Sequence, residues 1–170
     1  MAITNLLEYS AQQKLNKMDI DIVNVTPELH NGVIYAIGDL MFNQVKIENA
    51  VAVPGGRSIL QSVCAINADA QLGSFDLVFT AEGTDTIGDL NDPLQNENGI
   101  SDANALYTLG ITSITNMTDI GDSSIGSTQN IGMVLKAQEG SRDVFVWGIS
   151  KTTGTYTTSG LTLRIGILKD

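Results

Sequence analysis

An antiparallel all-β sandwich, jelly-roll-like and carrying a short N-terminal helical arm, is the fold this sequence predicts. Three observations predict it. From Val33 onward, apolar and polar side chains alternate with period two through most of the chain. Clusters of Gly, Asn, Asp, Ser and Pro separate these stretches, as turns require. Strands never alternate with helices in the manner of a parallel βαβ protein.

The elements follow in order. Between Thr4 and Met18, the residues Leu7, Ala11, Lys14, Leu15 and Met18 recur at helical spacing, and Thr4 or Asn5 could cap the helix. A helix this short is marginal in water, so it needs its own domain or a neighbour to lie on. Ile20, Ile22 and Val23 could form a strand, ended by Pro27 and the Asn31-Gly32 turn. Residues 1–30 thus read as an arm and 31–170 as the sandwich, with a long polar insertion at about 81–130.

Within the sandwich, VIYAIGDLMF bends at Gly38-Asp39, and AVAVPGG turns at Pro54, Gly55 and Gly56. SILQSVCAIN is a long strand, and Phe75, Leu77 and Phe79 share one face of the next. The Gly-, Asp- and Asn-rich run EGTDTIGDLNDPLQNENG is an excursion. SDANALYTLG predicts a short helix capped by Ser101 or Asp102 and stopped at Gly110, followed by a short strand at ITSIT. IGMVLKA, DVFVWGISKT and LTLRIGIL are three closing strands. The middle one is apolar on both faces and so predicted central and covered twice. In the last, Leu161, Leu163, Ile165 and Ile167 face one way. GTYTTSG reads as a hairpin-like connection between the last two.

Composition narrows the function. Only 16% of residues are charged, against roughly 25% in an average soluble protein, and Gly, Ser, Thr, Asn and Ile fill the gap. Nineteen acidic residues against nine basic ones give a net charge of −10, which phosphate backbones repel, so no nucleic-acid role is expected. The start MAITNLLEYSAQQKLNK lacks the basic and apolar regions of a signal peptide, and no apolar stretch approaches a membrane span. The single cysteine, Cys64, is expected to pack as a small hydrophobe, made in a reducing compartment.

No constellation for catalysis emerges. His30, the lone histidine, stands in a turn, and no nucleophile elbow or H-E-x-x-H motif is present. One histidine and one cysteine exclude the usual zinc sites. Gly121 to Thr128 has P-loop spacing, but Ser127 stands where the phosphate-binding lysine belongs. Glu82, Asp85, Asp89, Asp92 and Glu97 match no calcium-loop spacing and read as a solvated acidic loop, as do Asp119 and Asp122. Trp147 lies in an apolar strand and is expected in the core. Tyr156, in a turn, is the best exposed aromatic.

VIYAIGDLMF, VPGGRSILQSVCAIN, LGSFDLVFTAEGT and FVWGISKTTGTYTTSGLTLRIGILKD together resemble virion structural proteins of tailed bacteriophages, of the jelly-roll head decoration or cement type. The likeness covers roughly residues 33 to 170 and weakens across the middle loop. Its motifs are structural: a G-D strand, a Gly-Gly turn, an L-x-L-x-F-like strand and a T-Y-T ending that leads into L-x-L-R. The resemblance implies a non-enzymatic protein without cofactor or metal. It would be made in the host cytoplasm and would bind the major capsid protein on the outer surface of the head. A homo-oligomer is implied, a trimer among the arrangements. Leu6, Leu7 and Leu15 of the arm, with Tyr156, are the expected contact residues. The alternative is a tail or fibre-associated module recognising host surface glycan through Tyr156 and the 82–99 loop.

Overall fold

Period-two alternation becomes eleven strands in the computed structural model, which describes residues 19–83, 87–94 and 99–169. They are β1 (Asp19–Val25), β2 (Ile34–Tyr35), β3 (Leu40–Ile47), β4 (Arg57–Asn67), β5 (Phe75–Thr80), β6 (Thr108–Ile114), β7 (Met117–Asp119), β8 (Ser124–Lys136), β9 (Val144–Ser150), β10 (Gly154–Thr155) and β11 (Leu161–Lys169). One helical turn, α1 (Asp102–Ala105), precedes β6.

Two sheets result. The first has the order β1-β11-β4-β8-β7 and the second β3-β9-β5-β6, with every neighbouring pair antiparallel. The pairs nest: β1 with β11, β3 with β9, β4 with β8, β5 with β6. The chain is one long hairpin with its tip at β5–β6, rolled so that successive pairs fall in alternate sheets. The pairs β11–β4 and β9–β5 close the roll. That strand order is the jelly roll. A two-stranded ribbon of β2 and β10 sits at one end.

The core lies between the sheets because alternate residues point inward from both. Leu161, Leu163, Ile165 and Ile167 of β11 are fully buried, and Arg164 among them is exposed. Leu60, Val63 and Ala65 of β4 meet Phe75, Leu77 and Phe79 of β5 and Val144 and Val146 of β9 in one cluster. A second, smaller cluster lies on the opposite side of the second sheet. Leu40, Val78 and Trp147 are covered there by Ile87, Leu90, Leu94 and Ile100 of the loop after β5. So β9 is central and buried on both faces, as its apolar pattern predicts, and Trp147 is core.

Several expectations change. The sandwich begins at Asp19, inside the stretch read as an arm, because β1 pairs along its whole length with β11. Residues 4–18, with the expected helix, lie outside the described residues. The insertion is shorter than 81–130: β6 and the start of β8 belong to the roll, so the excursion ends by Tyr107. Ser101 does cap α1, its side chain accepting from the Asn104 N–H, but the helix ends at Ala105 because Thr108 already pairs in β6. GTYTTSG is not a hairpin. Strands β9 and β11 lie in different sheets, and Gly154 and Thr155 pair instead with β2. Cys64 is half-buried on the outer face of the first sheet, between Arg164 and Ser127, because the inward phase of β4 belongs to Val63 and Ala65.

Candidate interaction surfaces

The residues singled out for chemistry are scattered. His30 is exposed near the β2–β10 ribbon, and only its backbone is engaged, donating to the Tyr35 Oη at 2.7 Å. Among the described residues no three His, Cys, Asp or Glu side chains gather to hold a metal. Gly121–Thr128 runs from a turn into β8, whose backbone pairs with β4 and β7. Met117 lies over Gly126, and no cradle for phosphate forms. Asp119 closes its own turn, accepting from the Gly121 N–H at 2.8 Å. Two open depressions of about 350 and 430 Å³ lie beside β3 and beside the Gly55 turn. The first is lined by Thr26, Asn43, Gln44 and Leu90 among others, the second by Lys136 and Glu139 among others. Neither unites an acid–base pair with a nucleophile. No helix among the described residues is long and apolar enough to cross a membrane.

Tyr156 is buried rather than exposed, with 2% of its surface accessible. Its ring meets Tyr35 edge-on at 5.8 Å, and Tyr35 in turn donates to the Met41 carbonyl at 2.9 Å. Glycine makes the space: a Cβ on Gly73 would stand 2.6 Å from the Tyr156 hydroxyl, and one on Gly154 3.0 Å from its ring. Burial pushes the Tyr156 phenol up to about 12, with the charges of Tyr35 and Asp69 adding to the effect. Next to it, Asp69 accepts from the Thr157 N–H at 2.8 Å and from its hydroxyl. The Tyr156-Thr157 pair therefore locks the β10–β11 connection to the β4–β5 loop. The motif is architectural, because a turn residue flanked by glycines can fold its ring inward.

The loop after β5 is fastened to the β3 edge. The Leu40 N–H donates to the Asp92 carbonyl at 3.0 Å, and the Leu40 carbonyl accepts from the Asn91 N–H at 2.9 Å. The Asn43 side chain accepts from the Ile87 and Gly88 N–H groups and donates to the Gly88 carbonyl. These bonds cap an edge that would otherwise offer unpaired backbone to another strand.

Among the described residues, aliphatic side chains stand exposed at several places, two of them on strands of the main sheets. Leu106 and Ile111 are 86% and 59% exposed beside Tyr107, on and just before the edge strand β6. On the outer face of the first sheet, Ile20 and Ile22 of β1 and Val134 of β8 face solvent, with Ile59 and Leu168 half-buried between them. The sequence reading missed both. The signal for the second lies in DIDIVNV: Ile20 and Ile22 are out of phase with Val23 and Val25, so β1 is apolar on two faces.

No protein-family model matches the chain, and no curated protein matches it. Solved structures similar to it include the capsid asymmetric unit of cyanophage Pam1, at 11% identity over 90% of this chain and 86% of that one, TM-score 0.33. A chain of Desmodium yellow mottle tymovirus is similar at 14% identity over 90% and 81%, TM-score 0.27. A chain of the T13 IBDV viral particle is similar at 8% identity over 89% of this chain and 30% of that one, TM-score 0.32. The strand order, not these superpositions, defines the fold.

Proposed function

We propose that this chain is a non-enzymatic structural protein of a bacteriophage particle that decorates or cements the outside of the head. The observation that carries the reading is the nested strand order, the jelly roll used by viral shell domains, with its ends and turns locked and its apolar surface left on strand faces and an edge. Lectin domains and cupins share that architecture, so the fold alone does not select a function. Three features favour the particle reading. The resemblance of residues 33 to 170 is to virion proteins. The net charge of −10 suits the outside of a DNA-filled shell and would be unfavourable against its inner wall. The exposed apolar residues offer contact area for neighbours.

In this reading the chain binds the major capsid protein and copies of itself, a trimer among the arrangements, and Leu6, Leu7 and Leu15 supply contacts from the N-terminal arm. The tail or fibre reading loses its aromatic candidate, since the buried Tyr156 ring offers no platform to a sugar. Electron microscopy of the purified particle tests the proposal. Density for this jelly roll in many copies on the outer head supports it, and density confined to the tail or the inner wall overturns it.

A further inference from the structure

Asn31-Gly32 forms a turn, and it is also a pair prone to spontaneous rearrangement. Glycine puts no side chain between its own nitrogen and the preceding carboxamide. Both residues are exposed, and a Cβ on Gly32 would meet nothing within 4 Å, so water and base reach the pair. The backbone, by contrast, is clamped. The Leu29 N–H donates to the Thr158 carbonyl at 2.9 Å, the His30 N–H to the Tyr35 Oη at 2.7 Å and the Gly32 N–H to the Tyr156 carbonyl at 2.9 Å. Asn31 itself bridges to Tyr156, beside the β2–β10 ribbon. The stretch therefore lies against the two buried tyrosines and the connection that Tyr156 anchors.

We propose that Asn31 is a self-modification site, a deamidating asparagine that this clamp holds unreactive until the stretch opens. In the reaction the Gly32 nitrogen gives its proton to base and attacks the Asn31 side-chain carbonyl carbon. The bond from that nitrogen to Cγ forms, the Cγ–Nδ2 bond breaks, and ammonia leaves a five-membered succinimide. Water then opens the ring at one of its two carbonyls. The product is aspartate or, with the backbone rerouted through Cγ, isoaspartate. Water and base are the only co-reactants. The clamp opposes the first step twice. The Gly32 N–H is shielded from base while it donates to Tyr156, and ring closure needs a backbone rotation that the three bonds forbid. Local opening of residues 29–32 is therefore the gate. The reaction also holds the gate open. It adds a negative charge to a chain already at −10, and isoaspartate inserts a backbone carbon between the His30 and Gly32 donors, which then no longer match Tyr35 and Tyr156 together. This inference does not depend on the virion reading.

Peptide mapping by mass spectrometry tests it in the full chain, and reads position 31 separately from the second Asn-Gly pair at 98–99. At mildly alkaline pH, the folded chain should form aspartate and isoaspartate at position 31 about tenfold more slowly than the chain in concentrated urea. Tyr35→Phe removes the acceptor of the His30 N–H and should recover most of that difference. Gly154→Ala, whose Cβ would press on the Tyr156 ring from 3.0 Å, should do the same from the other strand of the ribbon. Leu135→Ala opens a core cavity on β8, where Leu135 pairs with Ser58 at the far end of β4 from the clamp. It should lower the denaturation midpoint and leave the rate at position 31 unchanged. Equal rates in the folded chain and in urea overturn the proposal. Acceleration by Leu135→Ala as large as that by Tyr35→Phe and Gly154→Ala also overturns it, and makes global unfolding the gate.

Discussion

Gly148 has almost no room for a side chain. A Cβ there would run into the Phe42 ring, which lies against β9 where the two strands pair. Phe42 is itself fully buried in the main core, so it has nowhere to retreat. Gly148→Ala should cost about 1–3 kcal/mol of stability, measured by denaturant unfolding, as overpacking of a tight core does. Tyr156 makes a different prediction. Its phenol is held neutral up to about 12, against 10.0 in an open chain. The folded chain thus keeps a proton that the unfolded chain releases first. Its contribution is whole below about pH 10 and is lost as pH rises towards about 12. The denaturation midpoint should fall across that window, and Tyr156→Phe should flatten the fall. Tyr156→Ala, which empties the pocket under Gly73 and Gly154, should cost about 3–5 kcal/mol at neutral pH.

Among the elements, the loop after β5 and the strand β1 each rest on a specific side chain as well as on backbone bonds. One side chain, Asn43, satisfies the Ile87 and Gly88 N–H groups and so holds a lid of four apolar residues over Trp147. Asn43→Ala leaves those amides without that acceptor, at a cost of about 1–3 kcal/mol. Since Trp147 is the single tryptophan and 5% exposed, its emission should shift to the red and become quenchable by acrylamide. Unchanged emission would show that backbone bonds to Leu40 suffice. At the other edge, the Lys169 ammonium lies 2.6 Å from the Asp21 carboxylate and holds that carboxyl below its usual value, first by the hydrogen bond and then by charge. The contribution is present above the ordinary carboxylate value and is lost as pH falls through the lowered one. Asp21→Asn should speed amide exchange in β1 and leave β4 unaffected, because Asp21 is half-exposed and the pair is worth little globally.

Across the molecule, the nested pairing joins the first strand, β1, to the last, β11. Strand β11 lies between β1 and β4, so its removal takes the central partner from both. A chain ended before Leu161 should show no cooperative unfolding transition by circular dichroism. Pairing of such distant segments also sets the pace of folding, which should fall in the range of milliseconds to seconds in stopped-flow refolding, as for other β-sandwiches. The edges are managed differently: β3 is capped by Asn91 and Asp92, whereas β6 keeps Leu106 and Ile111 in solvent. A particle protein in many copies would use such a surface, and the microscopy test above reads it directly.

Period-two burial is written locally, and so the longer strands, the phase of Leu161 to Ile167, the double burial of β9 and a cap for α1 at Ser101 or Asp102 were legible in the residues, whereas β7, β10 and the first half of β8 were not. The legible features depend on neighbours two to four residues apart. The remaining features depend on partners far along the chain. Tyr156 turned inward because Gly73 and Gly154 leave room for its ring. Cys64 fell on the outer face because Val63 and Ala65 took the inner one. Ile20, Leu168, Ile59 and Val134 became one surface because long-range register aligned them, a relation that no local pattern contains.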